Sequence, residues 1–309
     1  MLKVLDVSKT YKNKSGNVKA LNKINFEIEP GEICCYIGPN GAGKSTTIKA
    51  ILGLLKIDEG KILFNDVEVT TKRNNKMLKA VGVCIANKTQ LIWDVPVIDS
   101  LTLIGKIYSV PKKVISERID TLSRKLRIDH ILKKTPKQIS LGERVKADII
   151  ASLIHSPSFV LMDEPTIGLD IISKKNILEF IVDEQKKNNT SFLITTHDMS
   201  WMEKIHSRIV VINQGNLIFN GYIQELKKIQ NNLERYVLEF GDENLDEIIN
   251  KFKPLDLEIK QVNNSIDFSS NNHDTIVKVI EFCFSNYKVI NIKNMSDSNL
   301  ESMILKLTT

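Results

Sequence analysis

The stretch from Gly38 to Thr46 constrains this chain more than any other. It reads Gly-Pro-Asn-Gly-Ala-Gly-Lys-Ser-Thr and lies between an apolar run at residues 33–37 and a helical pattern at residues 44–55. Glycine adopts φ values that are closed to other residues, so successive backbone N–H groups can curl around an anion at the N-terminus of a helix. The spacing is that of a Walker A loop. It predicts a strand, a phosphate-binding loop and a helix in that order.

Two side chains of this loop carry specific chemistry. Lys44 can reach the outer phosphates of a nucleotide, and Ser45 offers a hydroxyl to Mg²⁺, a cation that prefers oxygen ligands. The other loop residues supply backbone N–H donors, except Pro39, which has no N–H. The predicted phosphate-binding residues are Gly38, Pro39, Asn40, Gly41, Ala42, Gly43, Lys44, Ser45 and Thr46.

Length and charge limit the class of protein. A chain of 309 residues with 42% hydrophobic residues can bury a sizeable core, and its length suggests about two domains. The net charge of +6 could indicate an acidic partner. The lysines are spread along the chain, with only short clusters such as Lys112-Lys113 and Lys186-Lys187. We therefore expect no nucleic-acid partner.

The cysteines and the hydropathy pattern indicate a reducing compartment and no membrane span. The four cysteines are Cys34, Cys35, Cys84 and Cys283. They form no Cys-x-x-Cys pair and have no His neighbours at zinc-ligand spacing, so we expect buried free thiols. Lys3 and Asp6 interrupt the N-terminus too early for a signal peptide, and no run of 18 apolar residues occurs.

Two further apolar runs end in polar, chemistry-bearing residues. Residues 159–162 read as a buried parallel strand and are followed by Asp163 and Glu164. Residues 191–195 repeat this arrangement and are followed closely by His197. Ligands of open α/β sheets bind at the carboxyl ends of the strands. These three side chains are therefore expected on the same edge of the sheet as the phosphate-binding loop.

The remaining patterns describe additions to this α/β core. Short β-type runs at residues 2–7 and 21–28 precede the Walker loop, and a helical block covers about residues 99–152. Two runs joined by Asn213-Gln214-Gly215-Asn216 predict a closing hairpin.

The chain after Gly221 predicts a separate small module. A linking helix begins at Ile223, and the periodicities then run β, α, β, β, α, β, which fits an α+β module of ferredoxin-like type. A last helix is predicted after Asn299. The predicted elements of the module are residues 236–240, 245–252, 257–262, 265–268, 275–285 and 288–292.

Three elements follow the Walker loop in a fixed order. Residues 139–144 read Ile-Ser-Leu-Gly-Glu-Arg before a helix, Asp163-Glu164-Pro165 ends a strand with Asp170 behind it, and His197 ends the next strand. With the Walker loop, this series resembles the ATP-binding subunits of ABC transporters. The resemblance covers residues 2 to about 226. It implies a RecA-like P-loop core with an antiparallel β subdomain and an inserted helical subdomain, so that 1–226 is the ATPase domain and 227–309 an accessory or regulatory module.

The resemblance assigns roles to residues of the expected nucleotide-binding site. The Walker loop would hold ATP, with Lys44 on the outer phosphates, and Asp163 would hold Mg²⁺ with Ser45. Glu164 would act as the general base toward the attacking water. His197 would contact the γ-phosphate. Positioned cations and an oriented nucleophile are what phosphoryl transfer needs on physical grounds as well.

The resemblance also assigns roles in adenine binding and at the interface between two subunits. Tyr11 would stack on adenine, although an aromatic at this position is by itself more often part of a core. Ser140 and Gly142 fall on the signature motif, which in the family binds the γ-phosphate held by the opposite subunit. Asp170 would lie in the loop that crosses the dimer interface.

The chain departs from the family pattern at two places. Leu141 and Glu143 replace the commonest Gly and Gln of the signature, and with residues 88–96 this variant resembles a bacterial exporter-type branch. Asn87 aligns with the glutamine that the family places near the metal. Asn keeps the amide but is one methylene shorter, so Gln90 is an alternative for this role.

The resemblance implies an ATP-hydrolysing subunit that dimerises on ATP, with itself or with a different ATPase subunit. It would power export through a separate integral membrane permease, on the cytoplasmic face of the cell membrane. The helical block and residues 87–95 would face that partner. Their apolar members either contact the permease or pack under the helices: Leu91, Ile92, Trp93 and Val95. The alternatives are a soluble ABC protein acting on ribosomes or DNA, and a P-loop kinase or GTPase.

Overall fold

The structure is a computed structural model. It describes residues 1–13, 16–70, 75–85, 88–196, 205, 207–230, 234–241, 243–252, 254–255 and 257–295. The chain divides into two compact units, Met1–Tyr222 and a second that begins at Ile223. No helix in the described part of the chain has the length and hydrophobicity that crossing a bilayer requires.

The first unit contains ten strands and six α-helices within the described residues. The strands are β1 Leu2–Asn13, β2 Gly16–Ile28, β3 Ile33–Ile37, β4 Glu59–Phe64, β5 Val67–Glu68, β6 Val81–Ile85, β7 Phe159–Asp163, β8 Ser191–Thr195, β9 Arg208–Asn213 and β10 Asn216–Tyr222. The helices are α1 Lys44–Ile51, α2 Asn75–Ala80, α3 Val97–Ile107, α4 Lys112–Lys125, α5 Leu141–Leu153 and α6 Ile171–Asn188.

A six-stranded sheet forms the centre of the first unit, with the order β10-β9-β3-β8-β7-β6. All neighbours pair in parallel except the β9–β10 hairpin. Every residue of β3 and β8 is buried, which explains why apolar residues predominate in both, with polar Ser191 and Thr195 at the two ends of β8. The registers place Tyr36 and Asp163 on either side of Thr195. The carboxyl ends of β3, β7 and β8 therefore meet at one edge, as predicted.

A second, antiparallel sheet has the order β2-β1-β4-β5 and confirms the predicted β layer. Its inward side chains share a hydrophobic core with residues of the central sheet and of α1. The largest members of this core include Leu21, Phe26, Tyr36, Ile51, Ile62 and Phe64. This shared core fixes β2 next to the loop that enters α1.

Helices α3, α4 and α5 form the predicted helical block. Buried residues recur every three or four positions along α4, at Ile115, Ile119 and Leu122, as an amphipathic helix requires. One link between the block and the rest of the first unit is Lys125 of α4, whose Nζ lies 2.6 Å from Oε1 of the buried Glu184 on α6.

The second unit has the predicted split βαβ arrangement. It contains α7 Ile223–Gln230, β11 Glu234–Phe240, α8 Leu245–Phe252, β12 Glu258–Val262, β13 Ser265–Ser270, α9 His273–Asn286 and β14 Val289–Asn294. The strand order is β12-β13-β11-β14, with antiparallel pairs throughout. Helices α8 and α9 bury their apolar faces in its core. The predicted helix after Asn299 lies outside the described residues.

The four cysteines are free and buried, as predicted. Burial raises the pKa of the Cys35 thiol to about 12, because a thiolate would lose its hydration there. These thiols behave as small apolar side chains.

Candidate functional site

The Walker loop is held from two sides by backbone. A Cβ on Gly38 would lie 2.3 Å from the carbonyl oxygen of Ile212, and one on Gly43 would lie 2.6 Å from that of Ala20. Gly43 also has φ 113°, which side chains disfavour. The N–H of Gly215, in the β9–β10 turn, donates to the carbonyl of Ala42 at 2.9 Å. The loop therefore has the glycines that this close packing demands.

Lys44 begins α1 and folds back over the loop. Its Nζ donates to the carbonyls of Gly38 at 2.6 Å and Pro39 at 3.2 Å, and the residue is buried. Ser45 is exposed beside it, whereas Thr47 is buried and its hydroxyl donates to the Gly43 carbonyl at 3.2 Å. The loop thus presents one ammonium and one exposed hydroxyl at the start of a helix, where the dipole favours anions.

The loop forms the floor of a cleft of about 550 Å³. The cleft brings the predicted phosphate-binding loop together with both predicted carboxylates. Its lining residues are Val18, Lys19, Ala20, Pro39, Asn40, Gly41, Gly43, Lys44, Ser45, Thr46, Asp163, Glu164, Ile167 and Gln214. Gln214 comes from the β9–β10 turn and has φ 46°. It was not predicted from the sequence, where only the turn itself was visible.

The Asp163 carboxylate and the backbone of Glu164 are held by a residue that the sequence analysis missed. The hydroxyl of Thr195, at the end of β8, donates to Asp163 Oδ1 at 2.6 Å and accepts from the backbone N–H of Glu164 at 3.0 Å. The Glu164 N–H also lies 3.1 Å from the Thr195 carbonyl oxygen. Glu164 has φ 48°, a conformation that non-glycine residues adopt at a cost and that clusters at functional sites.

The signature motif begins a helix. Ser140 is the N-cap of α5, and its hydroxyl accepts from the N–H of Glu143 at 3.2 Å. The Glu143 carboxylate accepts in return from the Ser140 N–H at 2.8 Å, which completes a capping box. The hydrogen bonds that the Glu143 carboxylate accepts lower its pKa, and the bond from the Ser140 N–H has the largest effect. The glutamate at this position therefore has a structural partner in the motif itself.

The signature lies beside the segment that follows β7 in the same protomer. A Cβ on Gly142 would lie 3.2 Å from the hydroxyl of Ser173, and one on Gly168 would lie 3.3 Å from the Leu141 side chain. Asp170 caps α6 by accepting from the Ser173 N–H at 2.9 Å. Among the described residues, Ser140, Gly142 and Asp170 are not part of the cleft lining.

Tyr11 stands next to the cleft rather than in its described lining. It pairs across the β1–β2 ladder with Val18, which does line the cleft. The ring of Tyr11 has the Nζ of Lys9 at 5.9 Å from its centroid. Its role toward adenine stays a prediction.

Asn87 and His197 lie outside the described residues. Gln90, the alternative to Asn87, is described, and its Nε2 donates to the carbonyl of Val83 on β6 at 2.7 Å. The Gln90 amide nitrogen is therefore engaged by the sheet. The neighbouring apolar residues differ in exposure: Leu91 is buried, while Ile92 and Trp93 are exposed.

Comparison with known proteins decides the family. Residues 21–167 match the family described as ABC transporter. The chain is 30% identical over 226 residues to the ABC transporter ATP-binding protein NatA of Bacillus subtilis, covering 73% of this chain and 91% of that protein. The chain belongs to the ABC transporter ATP-binding family. Its activity is ATP hydrolysis coupled to transport, and the kinase or GTPase alternative is wrong.

Other relatives of this ABC ATPase add detail. The methionine import ATP-binding protein MetN 1 of Bacillus cereus is 30% identical over 73% of this chain and 66% of that protein. The solved structure of cbiO1 from Clostridium perfringens, described as part of an ABC transporter complex, matches with a TM-score of 0.64 and 26% identity over 74% of this chain and 94% of that chain. The fold is confirmed. The names include an import system, so the comparisons give the predicted exporter-type branch no support.

Proposed function

We propose that this ABC ATPase binds Mg²⁺–ATP in the cleft at the Walker loop, closes on a second ATPase subunit and drives a separate membrane permease. One observation carries the proposal: Lys44, Ser45, Asp163 and Glu164 line the same cleft at the carboxyl edge of the parallel sheet. Binding and hydrolysis of a nucleotide need these groups in one place.

The donor set of the cleft fits Mg²⁺. Ser45 supplies a hydroxyl and Asp163 a carboxylate, both oxygen ligands, and Mg²⁺ usually binds through one or two such groups together with substrate phosphates. Asn87 is the proposed amide contributor. Bound there, the cation would neutralise charge on the phosphate oxygens.

The chain's own residues supply the rest of the chemistry. Lys44 moves from the loop carbonyls to the outer phosphate oxygens of ATP, which are stronger acceptors. Glu164 takes a proton from the water that attacks the γ-phosphate, and Thr195 holds the backbone from which Glu164 projects. His197 contacts the γ-phosphate and helps to keep it in line with that water.

A second subunit completes the site. Ser140 and Gly142 do not line the cleft of their own protomer within the described residues, which is compatible with the proposal that they act on ATP held by another subunit. Large apolar side chains are exposed around the signature and the segment after β7, which supports a protein interface there. They are Leu141, Ile167, Ile171 and Ile172. A second copy and a different ATPase subunit both satisfy this geometry.

The proposal of a permease partner is based on apolar side chains that are exposed on and next to the helical block. Ile92 and Trp93 are 43% and 46% exposed and adjoin α3, where Leu103 and Ile107 are also exposed. Exposed apolar side chains of this kind fit the cytoplasmic loops of an integral membrane protein. This would hold the ATPase at the cytoplasmic face of the membrane. Export stays our proposal for the direction, based on the signature variant and residues 88–96.

Affinity purification from detergent-solubilised membranes tests this proposal. We expect a multi-span protein to be recovered with the wild type and to be lost with Trp93→Glu, while ATP binding is retained. A matched control is Val67→Glu, an exposed apolar residue on β5 of the antiparallel sheet. Recovery of ribosomes or DNA with no membrane protein would contradict the proposal and favour the soluble alternative.

A further inference from the structure

One buried carboxylate fastens the segment that leaves β6 to the helix that begins at the signature motif. Asp148 lies on α5, and only 7% of the residue is exposed. Its Oδ1 accepts a hydrogen bond from the Thr89 hydroxyl at 3.0 Å and another from the Gln90 N–H at 2.8 Å. Burial raises the pKa of Asp148 to about 6, so the carboxylate is mostly ionised at neutral pH and both bonds are charge-assisted.

The same short segment is bonded to two other elements. The Gln90 side chain donates to the Val83 carbonyl on β6 at 2.7 Å, and the Ile92 N–H donates to the hydroxyl of Ser100 on α3 at 3.1 Å. Leu91 is buried between these contacts. Residues 89–92 therefore connect the central sheet, α3 and α5.

The other contacts from this segment to α5, or to the residues just before α5, are more exposed. The Arg144 guanidinium lies 5.2 Å from the centroid of the Trp93 ring, and Trp93 is 46% exposed. Lys137 pairs with Asp94, but both side chains are largely in solvent. Exposed pairs of this kind contribute little. Asp148 supplies the buried connection.

A small cavity of about 70 Å³ lies beside the contact between Asp148 and residues 89–90. Thr89 and Asp148 line it together with Leu141 of the signature and with Glu164. The cavity is thus bounded by the segment, by the first turns of α5 and by the proposed general base. Because interiors transmit displacements through packed contacts, a shift of α5 here moves the signature relative to the catalytic strand end.

We propose that Asp148 is a positioning residue for the signature motif: it fixes α5 against residues 89–90, and thereby fixes where Ser140 and Gly142 meet the nucleotide of the second subunit. This rests on the proposed function of the signature in the dimer. Asp148 itself touches no substrate. Its removal should impair turnover by the assembled dimer without changing how the Walker loop binds ATP.

The test compares kcat with the Kd for ATP in the full chain. We expect Asp148→Ala to lower kcat by at least about tenfold, because it removes two hydrogen bonds to a charged group and tenfold corresponds to losing one, with the Kd for ATP unchanged within about twofold. Asp148→Asn should restore most of the activity, because its side-chain oxygen still accepts both hydrogen bonds. Thr89→Val removes one of the two bonds to Asp148, together with the bond that the Thr89 hydroxyl accepts from the Leu91 N–H at 3.2 Å, and should give an intermediate kcat.

Two further variants separate the possible failures. Ser152→Ala removes a buried hydroxyl that bonds only within α5, to the Ile149 carbonyl, and should leave kcat unchanged. Ser140→Ala should lower kcat if the signature acts as proposed. Wild-type turnover by Ser140→Ala would contradict the proposed function itself.

If Ser140→Ala is impaired, the Asp148 variants decide the inference alone. It is overturned if Asp148→Ala retains wild-type kcat, if its Kd for ATP rises as much as its kcat falls, or if Asp148→Asn is as impaired as Asp148→Ala. Should Asp148→Ala fail to fold, Thr89→Val replaces it. A lowered kcat with an unchanged Kd for ATP in Thr89→Val then supports the inference, and a wild-type kcat overturns it.

Discussion

The hydroxyl of Thr195 donates a 2.6 Å hydrogen bond to Oδ1 of Asp163 across the β7–β8 ladder. The same oxygen accepts from the backbone N–H of Glu164, whose φ of 48° needs such support. One buried threonine therefore orients the proposed metal ligand and the proposed general base together.

Thr195→Val keeps the shape of the side chain and removes both hydrogen bonds. We expect kcat for ATP hydrolysis to fall by about tenfold, the effect of losing a hydrogen bond to a charged group. Thr195→Ser keeps the hydroxyl and should remain close to the wild type. Steady-state ATPase assays check this, and equal rates for Thr195→Val and Thr195→Ser would refute the positioning role.

Lys44→Ala should weaken ATP binding by about ten- to a hundredfold, because the phosphates lose their main side-chain cation. The matched control is Lys49→Ala, an exposed lysine in the last turn of the same helix. Equilibrium binding of ATP measures both. Unchanged affinity in Lys44→Ala would show that the nucleotide site is assigned wrongly.

We expect the burial of His155 to make the stability of the folded protein sensitive to acid. Its ring stacks on Tyr108 with centroids 3.7 Å apart, and its Nε2 lies 3.2 Å from the Val81 carbonyl oxygen. Burial lowers its pKa to about 4 from 6.5, and Arg118 adds to the effect. Between these pH values the unfolded chain binds a proton that the folded chain refuses, so stability falls as the pH drops from about 6.5 to about 4.

The size of this effect is about 1–2 kcal/mol, since partial exposure of the ring reduces it. Urea unfolding of the wild type and of His155→Phe, measured across this pH range, isolates it. The difference in the free energy of unfolding between the two proteins should change with pH. A constant difference would mean that His155 does not titrate as described.

A chain ending at Gln230 should keep its affinity for ATP within about twofold, since all residues of the cleft precede the second unit. This end point keeps α7 whole. Isothermal titration of the truncated and full chains with ATP checks it. A folded truncation that fails to bind ATP would show that the nucleotide site depends on the second unit.

Elements of the fold that have a single local physical cause could be predicted from the sequence. Continuous apolar runs predicted β3, β7 and β8, because a parallel strand is buried on both faces, and the βαββαβ periodicity predicted the second unit. Glycine spacing predicted the loop that only glycines can form between Ala20 and Ile212.

Side chains that act through tertiary contacts could not be predicted in this way. Thr195 is one of two β-branched residues of β8, and only the β7–β8 register brings it to Asp163. Asp148 interrupts an apolar helix pattern, and a carboxylate is usually exposed, so its burial depends on how residues 89–90 fold onto α5. The strand twist that decides whether Tyr11 faces the cleft is likewise not encoded in a local pattern.

The central claim, that two ATPase subunits close on ATP, is tested most directly with Glu164→Gln. This variant keeps the side-chain shape but removes the general base, so ATP should bind and persist while hydrolysis falls by about 10²- to 10⁴-fold. Size-exclusion chromatography with ATP and Mg²⁺ should then show a dimer that is absent without nucleotide and absent when Lys44→Ala is added. A Glu164→Gln protein that binds ATP but elutes only as a monomer, alone and with its co-purifying ATPase partner, would contradict the claim.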